Sequence, residues 1–289
     1  MTFVVLMLAL IPLTAVGMLV DDHVLMGSPI WFKPFKFAVS FALYGTTLAW
    51  MLTKLTRGRR TGWWAGTVIA VAGIVEMLII VGQVVRGTRS HFNVTTPFDA
   101  TLFSIMGLTI VVLWSFTSLI AVLVALSRFD DLATGWAIRL GLLLALIGLG
   151  LGFLMLLPTP DQASGVVKGV VGSHSAGIAE GGPSMALTGW STTGGDLRVP
   201  HFVGMHALQL LPLIAVALGF VVRDTRTRLR LVLVTAAGYA GVIALTTWQA
   251  LRGQSLVHPD ALTLGALAVL GVGVAVAALV STRSATVAA

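Results

Sequence analysis

The chain has 289 residues, of which 57% are hydrophobic and only 10% are charged, whereas about 25% of the residues in a soluble domain are charged. A soluble fold of this size could not bury so much apolar surface, so the composition excludes an ordinary soluble protein. The net charge is +7 and there is no cysteine, which excludes disulfides and cysteine-ligated metal sites, and the basic residues occur in short runs between apolar segments, which indicates membrane orientation rather than nucleic-acid binding.

About eight segments are long and apolar enough to cross a bilayer as helices, which requires about 20 residues each. They lie at 2–20, 30–53, 63–85, 98–126, 134–158, 200–222, 229–251 and 260–281. We therefore predict an all-α fold, a polytopic transmembrane helical bundle that forms one domain over residues 1–289. The first segment lacks the basic start of a signal peptide, which favours a retained span over a cleaved one.

The distribution of Lys and Arg predicts the orientation, because these residues concentrate in cytoplasmic connections. With both termini in the cytoplasm, eleven of the eighteen Lys and Arg residues lie on the inner side and seven on the outer side. We predict a multi-pass protein of a bacterial plasma membrane in this orientation. The six histidines and the long Gly-, Ser- and Thr-rich connection 159–199 then lie outside, and such a long connection is typically a functional lid or a disordered segment.

Polar residues at helical spacing indicate which helix faces avoid lipid. The second span carries such a stripe, and further polar residues recur on the third, sixth and seventh spans. The residues of the stripe are Lys33, Lys36, Ser40, Tyr44 and Thr47. We expect these four spans to surround a polar cavity that opens to the outside, whereas the first, fifth and eighth spans are almost purely apolar and are expected to face lipid.

Glu76 lies well inside the third span. A carboxylate at that depth costs several kcal/mol unless it is paired, neutralised or hydrated, about 3 kcal/mol on insertion scales. It is therefore predicted to be a catalytic or coupling group that binds a proton or a cation. The alternative is a structural, hydrogen-bonded glutamate.

A dense polar cluster follows the third span. Its members are Gln83, Arg86, Arg89, Ser90, His91 and Asn93. Arginine can grip a carboxylate or a phosphate in bidentate fashion, so we predict ligand-binding roles for Gln83, Arg86, Arg89 and Asn93. The alternative is a solvated connection in which Asn93 serves as a turn residue.

Histidines are the candidates for a metal or haem site. We predict His91, His201 and His206 as metal ligands, with His91 and His206 also proposed for catalysis. His201 and His206 are five residues apart and diverge by about 140° on a regular helix, so a pair made by His91 and one of them is more plausible. A haem b or a divalent metal is one interpretation; hydrogen-bonded structural histidines are the other.

The remaining candidate ligand-binding residues lie on the polar faces or near the long connection. They are Lys36, Ser40, Tyr44, Arg198, Gln209 and Gln249. Lys33, beside Trp31 and Phe32, is more typical of an interfacial anchor whose ammonium group reaches the lipid headgroups.

Three function classes remain open. The first is a membrane protein that binds a small, anionic ligand or a haem or metal centre in an outward-facing pocket, with membrane redox chemistry as one outcome. The second is a transporter or channel in which Glu76 couples proton or cation movement to cargo, although polar residues are scarce in the inner halves of the spans. The third is a structural or assembly subunit of a homo-oligomer or a membrane complex.

Overall fold

The computed structural model describes residues 1–286 of the chain. Eight of its helices are long and apolar enough to span a membrane, which confirms the predicted all-α transmembrane bundle. The bounds are α1 Thr2–Val20, α2 Phe32–Thr53, α3 Arg59–Val85, α4 Pro97–Ala125, α5 Leu132–Leu151, α6 Pro160–Ala163, α7 Arg198–Val221, α8 Thr225–Leu251 and α9 Ala261–Thr286. A 3₁₀ turn, Gly152–Leu156, extends α5, and α6 is the one short helix in the described part of the chain.

Helix ends differ from the predicted spans where charged residues continue a helix beyond its apolar part. α3 begins at Arg59 rather than at residue 63, and α8 begins at Thr225 rather than at residue 229. Asp224 caps α8, because its carboxylate accepts a hydrogen bond from the Thr227 backbone N–H at 2.7 Å. Hydropathy therefore locates the part of a helix that lies in lipid, whereas caps locate its ends.

The connections meet in two groups, one at each end of the bundle. At one end, which we call the long-loop end, the connections 21–31, 86–96, 157–197 and 252–260 come together. Two antiparallel pairs occur there, β1 (Val24–Leu25) with β2 (Ser28–Pro29) and β3 (Ser175–Ala176) with β4 (Gly195–Asp196). The opposite, short-loop end is closed by contacts such as the hydrogen bond from the Thr56 N–H to Ser127 Oγ.

Five helices form a ring in the order α2, α3, α4, α5 and α7, with α7 returning to α2. α8 packs outside this ring against α5 and α7, α9 packs on α8, and α1 packs on α2. The junctions of the ring differ in closeness. α5 and α7 make the most extensive contact in the fold, whereas α2 and α7 meet over only a short stretch.

The close approach of α5 to α7 depends on glycine. A Cβ atom on Gly148 would lie 2.4 Å from the Gly204 carbonyl carbon, and one on Gly204 would lie 2.4 Å from the Gly148 Cα. The two backbones therefore touch where neither residue has a side chain. The expectation that the fifth span faces lipid is wrong, because Ala137, Ile138 and Leu142 of α5 are buried at the centre of the bundle.

Candidate functional site

A cavity of about 310 Å³ lies inside the ring at the long-loop end. The 157–197 connection, which we call the lid, covers it, and the β1–β2 hairpin lines its rim. Most of the wall is aromatic or aliphatic. The Phe, Tyr and Trp side chains of the wall are Phe32, Phe37, Phe41, Tyr44, Phe92, Phe103, Trp114, Phe153 and Phe202.

Some of the helices that form this wall differ from the four spans that we predicted from the sequence to surround the cavity. α4 contributes Phe103 and Trp114, and the end of α5 contributes Phe153, although neither span has a polar stripe. α8 contributes no lining residue among those the structure describes. An apolar wall leaves no polar periodicity in a sequence, so it could not be distinguished there from a lipid-facing surface.

Glu76 lies at the floor of the cavity and is only 1% exposed. Its Oε2 accepts a hydrogen bond from the Thr109 hydroxyl at 2.9 Å. Its Oε1 is buried without a hydrogen-bond partner among the described residues and lies 3.5 Å from His91 Nε2. A buried carboxyl oxygen with no donor is rare in folded proteins and calls for a ligand or a proton.

His91 forms the wall next to Glu76. Its Nδ1 lies 3.1 Å from the Ser90 hydroxyl, and its ring packs against Phe37 with 5.7 Å between centroids. Burial lowers the pKa of His91 well below its usual range, and the nearby Lys33 and His174 lower it further. The imidazole is therefore held neutral, and in that state it can exchange a proton with the carboxyl group of Glu76.

Phe92, the next residue, adopts a left-handed backbone conformation with φ of 63°. That conformation is unfavourable for a bulky residue and is found where surrounding contacts enforce it. Here the ring is 2% exposed and packs edge-on against His174, with 4.8 Å between centroids. The strained residue thus joins the connection that carries His91 to the lid.

The lid brings its own acid–base pair to the cavity. His174 Nδ1 lies 3.0 Å from Glu180 Oε1, which also accepts a hydrogen bond from the His174 backbone N–H. Burial lowers the pKa of His174 despite the hydrogen bond with Glu180. Burial also raises the pKa of Glu180, but the hydrogen bonds from His174 and Ser173 outweigh it and lower that pKa to about 2.

Two basic side chains fix the lid to the helices. Lys36 Nζ donates a hydrogen bond to the Thr188 carbonyl oxygen at 2.8 Å and lies 4.3 Å from the centre of the Phe32 ring. Arg198 donates to the Gly189 carbonyl oxygen at 2.6 Å and to both carboxylate oxygens of Asp196. Asp196 is 2% exposed, so this bidentate pair is a buried anchor of the lid.

Basic side chains outnumber acidic ones on the cavity wall. Lys33, Lys36, Arg89 and Arg198 line it, against Glu76 and Glu180. Arg198 is paired with Asp196. The side chains of Lys33 and Arg89 donate no hydrogen bond to another residue in the described part of the chain, although Lys33 lies within electrostatic range of both glutamates. Lys33 Nζ also lies 6.0 Å from the centre of the Phe37 ring. The wall therefore carries two basic side chains without a hydrogen-bonded partner among the described residues.

Eight of the predicted site residues line this one cavity. They are Lys36, Ser40, Tyr44, Glu76, Arg89, His91, Arg198 and His201. Tyr44 lies deepest on α2, where its hydroxyl is hydrogen-bonded to that of Thr117. His201 faces the cavity from α7 and donates a hydrogen bond from Nδ1 to the Gly148 carbonyl oxygen at 2.8 Å.

Three other predicted ligand-binding residues lie outside the cavity and stabilise the connection 86–96. They are Gln83, Arg86 and Asn93. Asp99 is 3% exposed and accepts hydrogen bonds from Gln83 Nε2 at 2.9 Å and from Arg86 Nη1 at 2.6 Å. Asn93 donates to the Arg89 carbonyl oxygen and accepts from Thr95. None of the three lines the cavity, and the hydrogen bonds account for their polarity.

The remaining predicted residues are also outside the cavity. Gln249 is buried and donates a hydrogen bond to the Ser255 carbonyl oxygen at 2.8 Å, which closes the connection after α8. His206 lines a second, smaller depression, and its Nδ1 lies 3.3 Å from Gln209 Oε1. The lid residues His174 and Glu180 were not predicted, because an irregular loop offers no periodicity from which to identify them.

The geometry does not gather the three histidines predicted as metal ligands. His206 is separated from the cavity that His91 and His201 line, and both nitrogens of His91 already face Ser90 and Glu76. Within the described residues no group of three or more His, Asp or Glu side chains is placed to hold a metal ion.

Comparisons with protein-family models, with curated proteins and with solved structures found no match to this chain. The chain is a multi-pass helical membrane protein, and the geometry of the cavity carries the functional argument.

Proposed function

We propose that this membrane protein binds a small amphipathic anion in the cavity beneath the lid, and that the Glu76–His91 pair exchanges a proton with the bound molecule. The observation that carries the proposal is the combination of a covered, largely apolar cavity with two basic side chains on its wall that have no hydrogen-bonded partner among the described residues. Ligand sites in proteins are typically concave and apolar, with a few polar groups that fix the ligand's orientation.

The charge of the wall selects the sign of the ligand. Two cations, Lys33 and Arg89, have no hydrogen-bonded partner among the described residues. Separation from bulk water strengthens the attraction between such groups and an anion. A carboxylate or a phosphate supplies the oxygen acceptors that ammonium and guanidinium groups bind best.

The proton-exchange role follows from the unpaired oxygen of Glu76. Its Oε1 is buried beside the cavity floor and lies 3.5 Å from His91 Nε2, slightly beyond hydrogen-bond distance. A ligand group placed there completes the hydrogen bonding of the carboxyl. Because burial keeps the imidazole of His91 neutral, a proton held by the pair resides on Glu76 and can pass to the bound molecule, as general acid–base chemistry requires.

Transport across the bilayer has less support. Below Tyr44 the centre of the bundle is filled by side chains that are at most 4% exposed. They include Leu48, Met51, Leu55, Ala65, Ile69, Ile120, Val124, Ile138 and Leu142. A route for cargo or protons requires polar groups at both ends of the bundle, and these apolar side chains fill the half nearer the short-loop end.

The orientation proposed from the sequence remains part of this assignment. The connections that meet at the short-loop end carry many of the basic residues, such as Arg57, Arg128 and Arg223. Basic connections favour the cytoplasmic side. We therefore place the lid and the cavity on the outer face of a plasma membrane.

Octyl phosphate tests the binding proposal, because it combines an anionic head with a short chain. We expect it to raise the melting temperature of the detergent-solubilised protein, whereas octanol, which lacks the charge, has little effect. The double variant Lys33→Gln/Arg89→Gln should bind about tenfold or more weakly, since one charge-assisted hydrogen bond contributes about 1.5–3 kcal/mol. The matched variant Lys54→Gln/Arg57→Gln at the short-loop end should bind normally.

Equal binding by the two double variants, or equal effects of octyl phosphate and octanol, would refute the proposal. Infrared difference spectra test the proton exchange separately. Addition of octyl phosphate should perturb a protonated-carboxyl band that disappears in Glu76→Gln and persists in Glu180→Gln. A band unaffected by Glu76→Gln would remove Glu76 from the mechanism.

A further inference from the structure

A second depression adjoins the cavity on the side of the ring where α2 meets α7. It has a volume of about 180 Å³, and the lid forms its upper edge. We call it the α2–α7 groove. α2 lines it with Val39 and Leu43, the lid with Leu187, and α7 with His206.

The groove and the cavity are separated by a thin partition. Lys36, Ser40 and Phe202 line both spaces. Ser40 makes no side-chain hydrogen bond with any residue that the structure describes, and Phe202 is held by a stacking contact with His206. These three side chains therefore form the partition between the two spaces.

The groove lies at the most open junction of the ring, because α2 and α7 contact each other over a much shorter stretch than α5 and α7 do. Its outer rim is apolar. Leu43 is 48% exposed and Leu187 is 87% exposed. Leu43 lies within the membrane span of α2, so the part of the rim that it forms faces the hydrocarbon of the bilayer rather than water.

The lining therefore changes from charged on the cavity side of the partition to apolar on the groove side. Lys33 and Arg89 lie on the cavity side, Lys36 lies at the partition, and the groove continues with Val39 and Leu43 into lipid. A molecule that fits this gradient has an anionic head attached to a hydrocarbon chain. A lysine at the boundary between the two parts suits such a molecule, since its ammonium can bind the head while its methylenes contact the chain.

We infer that the ligand of this protein is a membrane lipid with an anionic head and that one hydrocarbon chain of the lipid leaves the cavity through the α2–α7 groove into the bilayer. The inference rests on the proposed function and specifies its substrate class. Entry is lateral, from the membrane, so the lid does not have to open for the lipid to bind.

Hexadecyl phosphate and octyl phosphate test this inference, because they share a head and differ only in chain length. The variant Leu43→Trp fills the groove from the lipid side, and Leu213→Trp is the matched control on an exposed position of α7 outside the groove (64% exposed). Binding is measured in one detergent, so that partitioning of each probe into micelles is the same for every variant.

We expect Leu43→Trp to weaken hexadecyl phosphate binding about tenfold or more while octyl phosphate binding stays at the wild-type level. Leu213→Trp should bind both probes as the wild type does. Equal affinity of Leu43→Trp and wild type for hexadecyl phosphate would overturn the lipid-chain inference and leave the binding proposal intact. Failure of octyl phosphate to bind the wild-type protein would instead defeat the proposed function.

A measurement on the unmodified protein covers the case in which Leu43→Trp does not fold. Hexadecyl phosphate with a photoreactive diazirine at the end of its chain should label Val39, Leu43 or His206, which line the groove and not the cavity. Labelling restricted to α9 or α1 would show that the chain lies on the general lipid surface, and labelling inside the cavity alone would show that it remains enclosed. Either result contradicts the inference.

Discussion

The two halves of the bundle are built in opposite ways. The half at the long-loop end is hollow, and its ring of helices encloses charged and hydrogen-bonding side chains beneath the lid. The half at the short-loop end is solid, and residues such as Met51, Ile120 and Ile138 are completely buried there. The same ring of helices thus encloses a cavity at one end and packs into an apolar core at the other.

The difference shows how a membrane protein can stabilise charged groups inside its helical bundle. Charged groups in the hollow half contact each other, the lid or the cavity, and the solid half holds the helices that carry them in fixed positions. Tyr44 and Thr117 lie at the boundary, with their hydroxyls hydrogen-bonded to each other. Substitutions in the solid half should therefore change stability alone, whereas those in the hollow half should also change binding.

Gly148→Ala should have the largest effect, because it disturbs the contact that both halves share. The new methyl group would lie 2.4 Å from the backbone of α7, and backbone atoms cannot rotate away. We expect the loss of stability to exceed about 3 kcal/mol, the upper end of the usual cost of overpacking. Thermal unfolding followed by circular dichroism measures it.

Gly150→Ala is the control for that substitution. Its Cβ would lie 3.8 Å from Trp114 Nε1, which is an ordinary contact, and alanine favours a helix over glycine. A melting temperature at or above that of the wild type is expected. Similar melting temperatures for the two variants would show that α5 and α7 are not held together at Gly148.

Ile138→Ala tests the solid half and should have the second largest effect. Ile138 is completely buried, and its truncation leaves a cavity that costs about 2 kcal/mol, the lower end of the range for such changes, because lipid also solvates the helices when they separate. Binding of octyl phosphate by the folded fraction should be unchanged. Leu143→Ala, at a 53% exposed position of the same helix, should melt like the wild type.

A binding defect in Ile138→Ala that persists at temperatures where the variant is folded would contradict the division between the two halves. Such a defect would mean that the packed core transmits its strain to the cavity floor, about half the length of a span away.

Asp196→Asn tests the anchor of the lid in the hollow half. Asp196 accepts four hydrogen bonds, from the backbone N–H groups of Ser191 and Arg198 and from Nε and Nη2 of the Arg198 guanidinium. An asparagine has one acceptor oxygen in place of two and cannot accept all four. We expect a loss of about 1 kcal/mol, the lower end of the cost of unsatisfied buried donors, because Arg198 remains 21% exposed and can turn to water. Limited proteolysis should cut residues 157–197 faster, and octyl phosphate should bind more weakly.

Asp260→Asn provides the matched comparison for the anchor. Asp260 pairs with Arg252 at 2.5 Å, but its side chain is 39% exposed and lies away from the cavity. Exposed pairs contribute little to stability, and asparagine still caps a helix well. Equal sensitivity of the two variants to proteolysis within 157–197 would show that Asp196 does not hold the lid.

The sequence was sufficient to predict the scaffold and part of the site. Hydropathy located the eight spans, and the cost of a carboxylate in lipid pointed to Glu76 before its neighbours were known. Both inferences concern the relation between one residue or one helix and the bilayer. That relation is the same for any arrangement of the helices, so it can be inferred from the sequence.

The rest of the site depends on contacts between distant segments. In the sequence, Arg86 and Asn93 were as suitable for binding a ligand as Arg89. In the structure, Arg86 is hydrogen-bonded to Asp99, and Asn93 is hydrogen-bonded to the backbone of its own connection. His174 gives no signal in a glycine-rich loop until the lid folds over Phe92. Which polar residues face a cavity and which satisfy each other is decided by tertiary packing, which a single sequence does not specify.

The smallest predicted effect is a dependence of stability on pH that originates in the hollow half. His174 faces Glu180, Lys33 and Arg198, and burial lowers its pKa below that of an unfolded chain. The unfolded state therefore binds more protons than the folded state below about pH 6.5, so stability falls as the pH decreases through that value. If His174 stays neutral when folded, its contribution to the loss between pH 7 and pH 6 is at most about 0.7 kcal/mol.

Melting temperatures of wild type and His174→Gln, measured from pH 8 to pH 5, isolate this contribution. The wild type should lose stability more steeply below about pH 6.5, and the two curves should run parallel above pH 7. Glu180, whose pKa is lowered to about 2, adds its own loss only when the pH falls below about 4.5, outside the range of the experiment. Parallel curves throughout would show that the lid admits a proton to His174 without cost, and the hollow half would then be wetter than its walls imply.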